Sequence, residues 1–213
     1  AAGETIAFHF ASSTSPFDVE IVNMASPFTV LQKITAVSSE ARDCRGKWET
    51  GCQWPVSTTL TVPSHYVPGY YAARFPTGKG TRRILFVVRA AVPGSYAPIA
   101  VIQPSYSDVA YNRFGGKSVY DNISDDGRRA HIVSFNRPYY EDAGLARFQI
   151  WESRFVAWMK AEGRAFEVIT DHDMEAGIPL NGYKAVLIVG HSEYWSLKGR
   201  RQLEAYSRSG GHG

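Results

Sequence analysis

Long apolar runs are missing from this chain. Although 44% of its 213 residues are hydrophobic, no stretch approaches the ~20 consecutive apolar residues that a helix needs to cross a bilayer. No membrane-spanning segment is expected, and the apolar content instead suffices for one large core or two modest ones. Concentrated positive charge is missing too. The formal net charge is +3, and the pairs Arg82-Arg83, Arg128-Arg129 and Arg200-Arg201 stand far apart with no basic–aromatic ladder. A nucleic-acid surface leaves a denser electrostatic footprint, so nucleic acid is not an expected partner. No internal repeat or low-complexity tract is present.

Cysteine is nearly absent. Cys44 and Cys52 are the two in the chain, with Gly46 and Gly51 between them. The glycines make this segment a turn, which predicts that the sulfurs meet in a small loop disulfide. A zinc site would need further Cys or His close by, and none lie there. A disulfide implies an oxidising compartment, and the start at Ala1-Ala2-Gly3 suits a processed secretory protein or a cut end equally. An extracytoplasmic location is favoured over the cytoplasm, with two reduced thiols in a surface loop as the alternative.

What is present divides in two. Residues 6–10, 17–22, 58–62, 70–75 and 83–89 are short runs rich in β-branched and aromatic side chains, the composition of strands. Pro16, Pro27, Pro63, Pro68-Gly69 and Gly78-Lys79-Gly80 punctuate the intervals. Several strands without a convincing helix predict a β-sandwich over residues 1–92, with 91–95 as the linker. The pattern then changes. Residues 99–102 form a continuously apolar run of the buried, parallel-strand kind, and 105–147 read as a loop rich in Gly, Asn, Asp and Tyr. Residues 148–162 look helical, with Gly163 as the stop. Strands are expected at 166–170 and 185–190, and a helix at 197–208 before Gly210-Gly211. Strand, helix, strand, strand, helix predicts an α/β domain with a parallel sheet over 93–213. The whole is expected to be a two-domain α+β protein. Its α/β part has few strands for its length, and a helix ending in a Gly-Gly turn should lead to another strand, so the chain looks truncated at Gly213.

Ligands of open parallel sheets bind beyond the carboxyl ends of the strands. Gly190-His191-Ser192-Glu193-Tyr194-Trp195 stands there, directly after the most apolar strand. The strand-to-helix turn often carries a nucleophile, but here it offers His191 and Glu193. That argues against an acyl-enzyme and for a metal or a general base. The competing reading is that both residues merely solvate a helix start. A second candidate is the Tyr106–Ser118 loop, containing Tyr111 and Gly115-Gly116, which follows the first strand of the same sheet and lies on the same edge.

Several segments, in order, carry a resemblance: Gly51-Cys52-Gln53-Trp54, Pro68-Gly69-Tyr70-Tyr71-Ala72-Ala73-Arg74 and Phe86-Val87-Val88-Arg89. They continue with Ala110-Tyr111-Asn112-Arg113-Phe114-Gly115-Gly116-Lys117-Ser118-Val119-Tyr120, Val133-Ser134-Phe135-Asn136-Arg137-Pro138-Tyr139 and Gly190-His191-Ser192-Glu193-Tyr194-Trp195-Ser196. The sequence resembles the family of the N,N-dimethylformamidase large (beta) subunit over most of residues 50–213. The resemblance implies an iron-dependent amidohydrolase whose α/β domain is similar to the glutamine amidotransferase fold. It implies a mononuclear ferric ion, Fe(III), held by two tyrosinates and a glutamate. The glutamate falls on Glu193 and one tyrosine on Tyr111. The other falls on Tyr71, or on adjacent Tyr70 if the register shifts by one. The histidine of that pattern falls on His191.

The implied chemistry is coherent. Phenolate and carboxylate are hard oxygen donors suited to a hard trivalent cation. The ion would polarise a carbonyl and acidify water. His191 would shuttle the proton to the leaving amine. The expected partners are a small amide substrate and either a second copy or a small partner subunit. The family continues beyond the Gly-Gly turn, and further catalytic groups come from that part. The rival reading is a carbohydrate- or partner-binding protein with a non-catalytic α/β half, and bound iron would separate the two.

Overall fold

A computed structural model describes residues 1–26, 29–40, 42–140, 145 and 147–212. Pro27 and part of the 105–147 segment lie outside these residues. The fold is α+β, with mostly antiparallel sheets. Strands β1 (Thr5–Phe8) and β4 (Thr58–Thr61) form a two-stranded antiparallel sheet. Strands β2 (Phe17–Asn23), β3 (Val30–Val37), β5 (Gly69–Thr77) and β6 (Gly80–Val88) form a four-stranded one in the order β3-β2-β5-β6. Strands β7 (Ile99–Gln103), β8 (Glu167–Thr170) and β9 (Ala185–Ile188) form a parallel sheet in the order β8-β7-β9. Helices α1 (Ser105–Tyr111), α2 (Glu152–Ala161), α3 (Asp171–Ala176) and α4 (Leu197–Arg208) all belong to the second half. Among the described residues no helix is long and apolar enough to cross a membrane.

Strand β5 organises the packing because it is buried on both faces. Alternate side chains of a strand point to opposite sides. Tyr71, Ala73 and Phe75 therefore join Phe8, Phe10, Val19, Ile21 and Leu60 in a core between the two antiparallel sheets. Tyr70 and Ala72 face the other way, into a cluster with Val101, Phe148, Val156 and Val168. Antiparallel and parallel sheets thus share a packed cluster. The far side of the parallel sheet packs Ala100, Ile102, Ile169 and Val186 against Met174 of α3 and Tyr206 of α4.

Several expected elements differ in extent or were not expected at all. Strand β3 alternates weakly and is largely exposed at the sheet edge, which removes the hydrophobic signature of a strand. The loop expected from residue 105 begins instead with α1, and its Gly and Asn run starts only at Asn112. The helix expected from 148 begins at Glu152, because 147–151 form a turn in which Ile150 and Trp151 amides both meet Arg147 O. Helix α3 follows β8 without a loop, its start capped by reciprocal hydrogen bonds between Thr170 and Asp173. Cys44 and Cys52 form a disulfide. The loop it closes docks on the later half, where Gly46 N donates to Gly115 O at 2.9 Å and Cys52 N to Asn136 O at 2.8 Å. Strand β9 is the edge of the named parallel sheet. Its outer side is met in parallel sense by His212, whose carbonyl accepts from Val186 N at 2.9 Å.

Candidate functional site

Adjacent parallel strands deliver their carboxyl ends to one edge of a sheet. At that edge β7 leads into α1, whose last residue is Tyr111, and β9 leads through Gly190 into the segment 191–196. Gly190 is required there on two counts. Its φ is +81°, and a methyl group at this position would sit 2.5 Å from Glu152 Oε1 and 2.8 Å from Trp151 Cβ. Ser107 of α1 pins the two segments together, its hydroxyl accepting from Glu193 N at 2.8 Å and Tyr194 N at 3.1 Å.

Three side chains then converge on one oxygen of Glu193. Tyr111 and Tyr120 each donate a hydrogen bond of 2.7 Å to Glu193 Oε2. His191 Nε2 lies 3.1 Å from that oxygen and 3.1 Å from the Tyr111 hydroxyl. Tyr194 donates to the Tyr120 hydroxyl at 2.9 Å. The Tyr111 and Tyr120 rings stack with centroids 4.4 Å apart, and Trp151 lies flat beside the His191 ring. The Arg147 guanidinium covers the Tyr111 ring at 4.4 Å, a cation–π contact. Hydrogen bonds from Tyr111 first, then Tyr120, hold the Glu193 carboxyl below its usual range. Desolvation first, then its bonds to Tyr111, Tyr194 and Glu193, raises the Tyr120 phenol.

Of the residues singled out in the sequence, the structure brings Tyr111, His191 and Glu193 together. Tyr71 is elsewhere. Its hydroxyl donates to Val67 O at 2.8 Å and its ring stacks on Tyr66, between the antiparallel sheets. The alternative, Tyr70, faces the parallel sheet. Its buried hydroxyl has no hydrogen-bond partner among the described residues. Burial, then the nearby Glu152 and Asp108 carboxyls, raises its pKa well above the usual value. Tyr120, Tyr194, Trp151 and Arg147 were not singled out. Tyr194 lies inside the Gly190–Trp195 run and Tyr120 ends the Ala110–Tyr120 segment, so position alone marked them. Nothing in the sequence ties Arg147 or Trp151 to His191.

Three buried acids stand behind the cluster. Desolvation pushes Asp108 up to about 7, Glu152 to about 8 and Asp171 to about 6. Such groups keep their protons in the folded chain at a pH where the unfolded chain has released them, so their stabilising effect is present near pH 4 and lost as pH rises through 6 to 8. For the metal-free chain, thermal unfolding followed from pH 5 to pH 8 should show the melting temperature falling. Glu152, raised from 4.5 to about 8, accounts for a loss on the order of a few kcal/mol at about 1.4 kcal/mol per tenfold change in proton affinity. Glu152→Gln, neutral at every pH, should flatten the profile and melt higher than wild type at pH 8. An equally steep profile in the variant would contradict the assignment.

Among the described residues, no three His, Cys, Asp or Glu side chains are grouped to hold a metal. Beside Glu193 the further oxygen donors at this edge are the phenols of Tyr111 and Tyr120. A cavity of about 710 Å³ lies apart from the cluster, lined among others by Phe8, His9, Trp54, Arg83, Phe114 and Tyr139. It contains none of Tyr111, His191 or Glu193.

A family model described as N,N-dimethylformamidase beta subunit-like, C-terminal, matches residues 23–213. The chain is similar to the N,N-dimethylformamidase beta subunits of Paracoccus aminophilus and of an Alcaligenes species. Each is 25% identical over 203 residues, covering 76% of this chain and 26% of the relative. The chain spans about a quarter of the length of these curated relatives.

Proposed function

We propose that this chain, which belongs to the N,N-dimethylformamidase beta subunit-like family, carries the ferric centre of an amidohydrolase acting on small N-substituted amides. The observation that carries the reading is the convergence of Tyr111, Tyr120 and His191 on the single oxygen Glu193 Oε2. Phenols and a carboxylate are the hard donors that a trivalent cation prefers, so the residues fit the ion. Tyr111 and Glu193 would hold it, together with one phenol of the Tyr70-Tyr71 pair. Tyr70 suits that role better, since its buried hydroxyl lacks a partner among the described residues while the hydroxyl of Tyr71 is committed to Val67. When bound, the ion supplies Lewis acidity towards an amide carbonyl and towards water.

The chain's own groups do the rest. Arg147 over the Tyr111 ring holds that ring in place by a cation–π contact. His191, between Tyr111 and solvent, takes a proton from the attacking water and returns it to the nitrogen of the departing amine. Trp151 beside His191 walls one side of the imidazole and limits the directions from which its proton can be lost. The same reading extends to the wider assembly. The second half is a glutamine amidotransferase-like domain following a β-sandwich domain. The assembly includes a further subunit, since the relatives are named as beta subunits. The Cys44–Cys52 disulfide favours an oxidising compartment.

The test is reconstitution with ferric iron, followed by measurement of dimethylamine released from N,N-dimethylformamide and of amines from other N-alkyl amides. Release that stops on chelation and returns with iron is the expected result. A chain that binds no iron, or release indifferent to chelation, would contradict it.

A further inference from the structure

We propose that Tyr120 is a positioning residue for Glu193 and that Tyr194 acts through it, the Tyr194–Tyr120 hydroxyl chain fixing the Glu193 carboxylate against Tyr111 and His191. The proposal rests on reading that cluster as a metal site. It adds two residues that the donor set does not include.

A phenol has one proton to donate and lone pairs to accept with. The proton of Tyr120 goes to Glu193 Oε2 at 2.7 Å. A lone pair of the same oxygen receives the proton of Tyr194 at 2.9 Å. The two bonds run in one direction, towards the carboxylate, and such chains strengthen one another in sequence. The Glu193 side chain is 41% exposed, so without a partner it is free to turn into water. Its backbone is held separately, by Ser107. Backbone and carboxylate thus have independent anchors, and Tyr120 is one of those on the carboxylate.

Tyr120 is itself held in place before any ligand arrives. Its amide donates to Ser118 Oγ at 3.0 Å, and its carbonyl accepts from Ser124 Oγ at 2.7 Å. Val119 N donates to Ala110 O at 3.1 Å, tying the segment to the end of α1. The ring is consequently stacked on Tyr111. Its hydroxyl is engaged both as donor and as acceptor, whereas the Arg147 cation lies over Tyr111. That distribution assigns metal binding to Tyr111 and support to Tyr120.

Residues that orient a metal ligand typically contribute 10–100-fold to affinity. Ferric-ion affinity, measured by chelator competition, should therefore fall by roughly that factor in Tyr120→Phe, a change that keeps the stacked ring. The tyrosinate charge-transfer band per bound iron should stay as in wild type. Tyr194→Phe should weaken binding less. The double variant should bind no worse than Tyr120→Phe alone, because a residue acting through another has nothing to add once the other is gone. Unchanged affinity in Tyr120→Phe, additive losses in the double variant, or a weaker band per iron in Tyr120→Phe would each overturn the proposal. The weaker band would make Tyr120 a ligand. If wild type binds no iron at all, the metal reading fails by itself, and crystal structures of the metal-free proteins decide the positioning role. Displacement of the Glu193 carboxylate from both Tyr111 and His191 in Tyr120→Phe is then the expected result. A carboxylate still within hydrogen-bond distance of both would overturn it.

Discussion

Glu193→Gln should leave the fold intact and remove the iron. Glutamine matches glutamate in volume but offers a neutral oxygen where two phenols and an imidazole converge. It also presents an amide N–H₂ that competes with these donors. The carboxylate donor of the set is then lost. Loss of a residue that only orients a ligand costs about 10–100-fold in metal affinity, so loss of a ligand itself should exceed about 100-fold. Iron per chain by elemental analysis, with circular dichroism as the folding control, checks this. Glu193 is half-exposed at the sheet edge and takes no part in the core clusters, so the expected change in melting temperature is small. A Glu193→Gln chain that keeps its iron would remove Glu193 from the site.

His191→Asn should separate binding from chemistry. Asparagine keeps a polar side chain beside Trp151 but cannot take up and return a proton near neutral pH. Hydrolysis should fall by the roughly 10²–10⁴-fold expected of a lost acid–base group, while iron content and colour stay as in wild type. The contrast with Glu193→Gln is the informative part. One variant loses metal and activity together, and the other loses activity alone. A His191→Asn chain that also loses its iron would place the imidazole among the ligands.

The candidate site was legible in the sequence to the extent that it lies at strand ends. Residues 185–190 are uninterruptedly apolar and 99–102 nearly match them, so both announce buried parallel strands. Whatever follows two adjacent strands of that kind must meet at one edge, which is why Tyr111 and Glu193, 82 positions apart, are in contact. The choice between Tyr70 and Tyr71 was not legible. Both belong to a strand buried on both faces, so burial gives no phase. Only the partners of the two faces, one a second antiparallel sheet and the other a parallel sheet, tell them apart. Tyr120 was hidden for another reason. The chain between Tyr111 and Tyr120 doubles back through Gly115 and Gly116, both with positive φ, and spacing carries no information about such a return. Helix α1 was concealed by length, since a single pair of turns after Pro104 leaves too few residues for a periodic signal.

The account's central claim is that tyrosine and glutamate oxygens at this sheet edge hold ferric iron. Its most direct test is metal analysis together with the visible spectrum of wild-type chain loaded with ferric iron under oxidising conditions. The account predicts one iron per chain and a purple-to-brown tyrosinate charge-transfer colour that weakens in Tyr111→Phe. A colourless chain that takes up no iron, or a coloured one unaltered by Tyr111→Phe, would contradict it.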